Sequence, residues 1–276
     1  MKAICIVVQS VYDFDPRVRR KAEALAAAGY SVDVLALVPP TGATSYILNG
    51  VNVHAVSLGK KRGSLARYLF EYVAFFLWAF IRVSRSMRHR HYAVIDVNTL
   101  PDFLIFAPVV ARWMGAKLIL DMHEITPEFY MSKYGFTQTS RIVRLITWLE
   151  KISFTFADRV ITIHKPAEDL LVTRGLPREK STILMNSVDE TRFSSMGLSP
   201  GSAAPEPADT FTMMYHGTLT RMYGLDLAIE ALGLAHDSMP GARLWILGSG
   251  PEQPKLQLLA NERCRCICCL ARQSPA

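Results

Sequence analysis

The feature of this chain that most constrains its fold is an alternation of short apolar runs with segments of helical periodicity. The run at 2–8 predicts a first strand. A helix follows it, with Asp15 as N-cap, Pro16 at its first position and Gly29 at its end. The same apolar, β-prone character predicts further strands at 31–37, 51–56, 92–98, 117–122, 159–163 and 182–185. Helices are predicted at 102–114 and from the N-cap Ser140, the second with an apolar stripe of Ile142, Leu145, Ile146, Leu149, Ile152 and Phe156. Such alternation is typical of a doubly wound parallel sheet with helices on both faces, so the chain is predicted to be an α/β protein.

The 276 residues exceed the usual ~100–200 of one domain, so two units are expected. Residues 194–209 are rich in Ser, Gly, Pro and Ala without periodicity, which predicts a linker or surface loop. The alternation then restarts. We therefore predict an N-terminal domain at 1–193, a linker at 194–209, and the start of a second domain at 210–261.

The composition changes abruptly after residue 261. The segment 262–276 carries four cysteines, and we expect it to form neither strand nor helix. Adjacent Cys268 and Cys269 without a histidine do not have zinc-ligand spacing, so no metal site is predicted. A shifted or misassembled reading frame accounts for such a break, and the second domain is expected to be truncated there.

Most of the excess positive charge lies in residues 60–90, where eight Lys or Arg residues accompany the single acid Glu71. A helix predicted at 64–87 crosses this region. Its apolar middle, 72–81, is too short to span a bilayer, which needs ~20 residues. Two interpretations stay open: a buried helix, or a helix in the membrane interface with its arginines toward anionic headgroups. Nucleic acid is not an expected partner, because no DNA- or RNA-binding module accompanies the charge.

The first residues form too short an apolar run for a secretory signal, so a cytoplasmic chain is expected, either free or peripheral on the inner face of the membrane. The loop after the first strand lacks the glycines of a dinucleotide-binding turn, which disfavours a dehydrogenase. The next helix instead begins with Arg17, Arg19 and Arg20 in its first turn. This turn could hold an anion at the helix N-terminus or be a solvated basic surface.

His123 follows the strand at 117–122, at the edge where open α/β sheets bind their ligands. Glu124 is its neighbour, while Asn98 and Asp102 follow the adjacent strand. A polar crevice is therefore predicted there. A lone histidine is also common as a structural residue, and both interpretations stay open.

Together these segments resemble a family 4 glycosyltransferase of the GT-B fold. The resemblance covers about residues 2–261, and its motifs are Asp15-Pro-Arg-Val-Arg-Arg, Asn98-Thr-Leu-Pro-Asp, Asp121-Met-His-Glu, Asn186-Ser-Val-Asp, His216-Gly-Thr-Leu-Thr and Gly248-Ser-Gly-Pro. It implies a complete N-terminal doubly wound domain on the acceptor side and a Rossmann-like C-terminal domain, here incomplete, for a nucleotide-diphosphate sugar. It also implies transfer with retention of anomeric configuration.

The resemblance further implies roles for individual residues. His123 would be catalytic, beside the donor sugar. Acceptor or phosphate binding is expected from Asp15, Arg17, Arg20, Asn98, Asp102 and Glu124, and donor binding from Gly217, Thr218, Arg221 and Gly248. No cofactor is expected beyond the nucleotide-sugar donor.

The expected function is transfer of sugar to a membrane-associated glycan or lipid-linked acceptor in cell-surface polysaccharide synthesis. The alternative, which is the expectation for the 276-residue chain as it stands, is a truncated, inactive chain whose first domain only binds acceptor or partner. Two departures from the family pattern bear on this choice. Thr218 and Tyr223 stand near the places of a basic pair, with Arg221 the nearest cation, and the family's paired glutamates would lie beyond residue 261.

Overall fold

A computed structural model describes residues 2–58, 65–187, 210–263 and 268–271. At 65, 66 and 268–271 it describes the backbone only. The chain divides into two compact units, Met1–Glu190 and Thr191–Ala276. The predicted linker at 194–209, the basic residues Lys60, Lys61 and Arg62, and most of the predicted tail lie outside the described residues.

The first unit is built on a mostly parallel sheet of eight described strands in the order β3-β4-β2-β1-β5-β6-β7-β8. Their bounds are Ala3–Val11 (β1), Ser31–Leu37 (β2), Ser45–Leu48 (β3), Val51–Val56 (β4), Tyr92–Asn98 (β5), Lys117–Met122 (β6), Arg159–Thr162 (β7) and Ser181–Ile183 (β8). The predicted α/β class and parallel sheet are confirmed.

The antiparallel strand β3 was not predicted. It forms a hairpin with β4. The turn between them is Asn49-Gly50, and both residues have positive φ angles, 50° and 80°. Asn-Gly is the residue pair that a two-residue hairpin turn with left-handed backbone favours, so the sequence did carry a signal for this strand.

Strand β1 lies between β2 and β5 at the centre of the sheet. The chain leaves β1 toward β2 on one side and returns to add β5 on the other. The loops after β1 and β5 therefore diverge at the carboxyl end of the sheet, and such a switch point opens a crevice.

The helices of the first unit are Pro16–Ala27 (α1), Leu65–Ser86 (α2), Val109–Trp113 (α3), Thr126–Tyr134 (α4), Arg141–Phe156 (α5) and Lys165–Thr173 (α6). The predicted N-caps of α1 and α5 are confirmed: Asp15 accepts from the Val18 amide and Ser140 from the Val143 amide. One helix over 102–114 was predicted, and this was wrong. A 3₁₀ helix at Asp102–Phe106 ends before α3 begins, because Pro108 has no amide hydrogen to continue the ladder.

The apolar stripe predicted on α5 is only partly buried. The residues of α5 that are fully buried are Val143, Glu150, Ser153 and Phe154. The predicted stripe is half-buried or exposed, with Leu145 56% exposed, and four of its members line a groove that faces α2. Helical spacing identified the stripe, but spacing does not say which neighbour the stripe meets.

Helix α2 is buried on one face only. Phe75, Ala79 and Val83 pack in the core, while the opposite face carries an exposed apolar stripe of Leu69, Phe70, Val73, Leu77 and Ile81. The buried-helix interpretation therefore holds for one face of the helix. Within the described ranges, no helix is both long enough and apolar enough to cross a membrane.

The second unit contains parallel strands Phe211–His216 (β9), Ala242–Leu247 (β10) and Cys268–Ala271 (β11), in the order β11-β10-β9, with helices Leu225–Ala235 (α7) and Gln253–Arg263 (α8). The prediction that neither helix nor strand follows residue 261 was wrong. Helix α8 continues to Arg263, and β11 pairs with β10. A short apolar run can satisfy its backbone groups at the open edge of a strand, and Cys-Cys-Leu-Ala does so here.

Candidate functional site

A cleft of about 540 Å³ opens at the switch point of the first unit's sheet. The ends of β1 and β5 line it through residues 8–10 and 99–100. The start of α1, the first turns of α2 and Glu124 after β6 complete its walls. A cleft is therefore present at the predicted edge of the sheet, but of the four residues predicted to form a crevice there only Glu124 lines it.

Asp15 and Arg17 form a bidentate ion pair in this cleft. Arg17 Nε and Nη2 each donate to a carboxylate oxygen of Asp15 at 3.0 Å, and Ser10 Oγ donates at 2.9 Å. Burial alone would raise the pKa of Asp15, but the hydrogen bonds from Arg17 and Ser10 outweigh it, and the pKa is lowered. Asp15 thus stays ionised and holds Arg17. A guanidinium has five N–H donors, so donors remain on Arg17 for an anionic ligand.

A buried charge network adjoins the cleft, and it centres on a residue that sequence reasoning missed. Lys21 Nζ lies 2.5 Å from Asp96 Oδ2, forms an ion pair with Asp121, and is 3.5 Å from Asn98 Oδ1. Burial alone would lower the pKa of Lys21, but the two carboxylates raise it. Lys21 is therefore a buried cation that compensates two buried strand aspartates. The available signal was the presence of Asp96 and Asp121 inside apolar strands, because a buried charge needs a counter-charge.

His123 is attached to this network through Asp121. Its Nε2 lies 3.2 Å from Asp121 Oδ2, and its side chain is 8% exposed. Burial alone would raise the pKa of Asp121, but His123 and Lys21 outweigh it, and the pKa is lowered. An ionised Asp121 favours the imidazole tautomer that is protonated at Nε2. Nδ1 is then an acceptor. Neither ring nitrogen makes a hydrogen bond of good geometry with the described residues, so the approach of Nε2 to Asp121 is a close polar contact only.

The other predicted residues of the first unit lie in three places. Asn98 belongs to the buried network, where its Nδ2 donates to Asp96 at 3.4 Å. Glu124 lines the cleft beside Arg17. Arg20 donates to the Pro16 carbonyl at 3.1 Å and to Asn186 Oδ1 at 3.4 Å. The structure thus groups Asp15, Arg17 and Glu124 in the cleft, with His123 and Asn98 in the adjoining network.

Asp102 lies apart from this polar group. It is buried, and its Oδ1 accepts from Thr126 Oγ1 at 2.6 Å, while its Oδ2 has no hydrogen-bond partner in the part of the chain that the structure describes. Burial raises the pKa of Asp102 to about 6. The residue lines the apolar groove between α2 and α5.

The predicted donor-binding residues lie in the second unit, at the carboxyl ends of β9 and β10. The Gly217 amide donates to the Leu247 carbonyl at 2.9 Å, which ties the two strand ends together. A Cβ at Gly248 would collide with the Gly217 carbonyl oxygen, so this close approach requires glycine. Thr218 and Arg221 are exposed on the following loop. No cluster of three or more His, Cys, Asp or Glu residues suited to a metal occurs among the residues described.

Comparison with curated proteins finds no match to this chain. Among solved structures, sucrose-phosphate synthase from Thermosynechococcus elongatus has a TM-score of 0.66 at 19% identity, covering 97% of this chain and 70% of its own. HepE from Anabaena in complex with UDP and glucose has a TM-score of 0.57 at 16% identity, covering 95% and 65%. WaaG, a glycosyltransferase involved in lipopolysaccharide biosynthesis, has a TM-score of 0.60 at 15% identity, covering 98% and 70%.

At these identities the structural similarity shows the fold alone, which is that of GT-B glycosyltransferases. This chain spans about two thirds of the length of those structures. The family is shown by the sequence. Residues 15–187, more than half of the chain, match the family described as "Glycosyl transferase 4-like domain". The chain therefore belongs to the glycosyl transferase 4-like family.

Proposed function

We propose that this protein is a retaining glycosyltransferase that transfers sugar from a nucleotide-diphosphate sugar to a membrane-associated glycan or lipid-linked acceptor in cell-surface polysaccharide synthesis. The observation that carries the proposal is the cleft at the switch point, with an oriented histidine beside it in a chain of this family. The donor class is supported by HepE, whose structures hold UDP and UDP-glucose.

His123 is the proposed catalytic residue. Asp121, which is ion-paired with Lys21, lies against Nε2 of its ring and favours one orientation of the imidazole. Such a preorganised group stabilises charge that develops on the reacting sugar more strongly than it stabilises the ground state. Arg17 offers its remaining donors to a phosphate or hydroxyl of the acceptor. Gly217, Thr218, Arg221 and Gly248 are the proposed donor-binding residues, and no cofactor besides the donor is proposed.

Membrane association through residues 60–90 is part of the same proposal, with the protein peripheral on the inner face. Its support is the exposed apolar stripe of α2, together with Arg85 and Arg88, which are exposed at the end of that helix. An apolar helix face with basic residues beside it suits an anionic lipid surface.

The test is release of nucleotide from a panel of UDP-, GDP-, ADP- and dTDP-sugars in the presence of membrane extracts. His123→Ala should lower turnover by roughly 10² or more while the thermal transition is retained, as expected for loss of one positioned catalytic group. His91→Ala, an exposed histidine outside the site, is the matched control. An unchanged rate in His123→Ala would remove His123 from the chemistry, and no release from any donor would contradict the proposed function.

A further inference from the structure

The first unit contains a second cavity, an apolar groove of about 260 Å³ between α2 and α5. Leu69 and Tyr72 of α2 form one wall, and Leu145 and Leu149 belong to the opposite wall on α5. Pro101, Asp102 and Phe103 line it together with Thr126 and Tyr130 of α4. At ~30 Å³ per water-sized group, the groove holds roughly nine such groups, which suits a segment of hydrocarbon.

The groove continues the polar cleft. Tyr72 lines both cavities. Thr99 and Leu100 line the cleft, and the next two residues along the chain line the groove. One molecule with a polar head and an apolar tail can therefore occupy both cavities, with the head near Arg17.

Asp102 gives an independent indication of a ligand. The residue is almost fully buried, lines the groove, and its Oδ2 has no partner among the described residues. A buried oxygen without a hydrogen bond destabilises the folded state by ~1–3 kcal/mol. A hydroxyl or protonated phosphate at the junction of head and tail would satisfy it.

The rim of the groove is apolar on both sides. Leu69 belongs both to the groove and to the exposed stripe of α2, and on α5 Leu145 and Trp148 are more than half exposed. Exposed aromatic and aliphatic side chains of this kind are suited to the surface of a lipid layer. A hydrocarbon chain can thus pass from the lipid into the groove along apolar side chains.

We propose that this groove binds the hydrocarbon tail of the acceptor, an amphiphile in which a phosphate joins the tail to the sugar-accepting head. The inference rests on the proposed function for the identity of the acceptor and adds its chemical class. The phosphate lies in the cleft within reach of Arg17, and the first carbons of the tail lie between Tyr72 and Leu149.

Binding of farnesyl phosphate below its critical micelle concentration tests this proposal, with inorganic phosphate as the tail-less probe. Isothermal titration of the full chain should give at least tenfold tighter binding of farnesyl phosphate than of inorganic phosphate. Leu149→Trp, which fills the groove, and Leu145→Gln, at an exposed position that tolerates a polar side chain, should each weaken farnesyl phosphate binding about tenfold or more, a change of ~1.4 kcal/mol. Binding of inorganic phosphate should not change.

Leu77→Gln is the matched control, because Leu77 lies on the exposed stripe and outside the groove lining. Equal loss in this control would indicate non-specific adsorption and overturn the proposal. So would equal affinities for the two probes, or groove variants that bind farnesyl phosphate as the unmodified chain does. A normal thermal transition in Leu145→Gln keeps the test valid if Leu149→Trp does not fold.

Nucleotide release measured on the same samples separates the two proposals. Tail-dependent binding without nucleotide release from any donor would contradict the glycosyltransferase function and leave the groove assignment standing. Transfer to a water-soluble glycan without tail-dependent binding would contradict the groove assignment alone.

Discussion

Lys21 is the residue on which the buried carboxylates of Asp96 and Asp121 depend. Its ammonium is the cation that lies between Asp96 and Asp121, and Asp121 in turn holds His123. Lys21→Met keeps the stem of the side chain but removes the charge, so both carboxylates lose their partner. Breaking a buried pair in this way destabilises a protein by ~3–5 kcal/mol. We expect a loss of this size in the free energy of unfolding by urea.

Lys117→Met is the control for this change, because Lys117 is exposed and its ion pair with Asp158 lies at the surface. Surface pairs contribute little, at most ~1 kcal/mol. Adding Asp96→Asn to Lys21→Met should recover part of the loss, since one uncompensated charge is then removed. A Lys21→Met protein as stable as the Lys117→Met control would show that the network does not depend on this ammonium.

Glu150 predicts a pH dependence of stability. It is fully buried on α5, and burial raises the pKa of its carboxyl to about 8, although Arg174 Nη1 lies 3.5 Å from Oε2. The folded state therefore binds this proton more tightly than the unfolded state, whose pKa is ~4.3. The stability that the proton contributes is present below ~pH 4 and is lost as pH rises through about 8.

Glu150→Gln removes that titration. Each pKa unit corresponds to ~1.4 kcal/mol, so the unmodified chain should lose roughly 2 kcal/mol or more relative to the variant between ~pH 5 and ~pH 8. Urea unfolding of both proteins at several pH values measures the difference. Parallel stability profiles would contradict a raised pKa for Glu150.

Individual site residues could be predicted from the sequence where the signal is local. Asp15 before Pro16 marks a helix start, and His123 directly follows an apolar strand, so both positions follow from neighbouring residues. Lys21 contacts partners 77 and 100 residues away along the chain. Helical periodicity places Lys21 on α1 but cannot show that its side chain reaches two other strands.

At the scale of elements, the amphipathic character of the helices was visible, but their neighbours were not. The stripe on α5 was found by spacing, but spacing did not show that four of its members border a groove formed with α2. Single turn residues explain two other differences from the predicted elements. The Asn49-Gly50 turn connects β4 to strand β3, which was not predicted, and Pro108 divides a helix that was predicted to be continuous.

Helix α2 carries the prediction that belongs to this scale. The protein should sediment with vesicles that contain phosphatidylglycerol and should be released at high salt, because salt screens the attraction of its arginines to the anionic surface. Replacing Leu77 and Ile81 with Glu should lower vesicle binding severalfold, since two exposed apolar side chains of the stripe become anionic. Leu227→Glu, an exposed leucine of the second unit, is the control. Equal binding to phosphatidylcholine and phosphatidylglycerol vesicles would contradict a role for the arginines.

At the scale of the whole molecule, the α/β class and family were accessible because alternation and motif order extend over most of the chain. Strand β11 could not be predicted from the sequence, because its pairing depends on an available edge of β10 rather than on its own composition. The structure divides the chain at residue 190, and the three buried apolar clusters of the described residues each lie wholly within one unit.

The last prediction follows from this division. If the core of the first unit needs no apolar side chain from the second, residues 1–190 alone should unfold in one cooperative thermal transition, as expected of one compact domain. Phe154→Ala empties a fully buried position in that core and should cost ~3–5 kcal/mol. The cost should be equal in the 1–190 protein and in the full chain, because every described member of the cluster around Phe154 precedes residue 190. Lack of a cooperative transition in the 1–190 protein, or a smaller cost there than in the full chain, would mean that the first unit depends on the second for its packing.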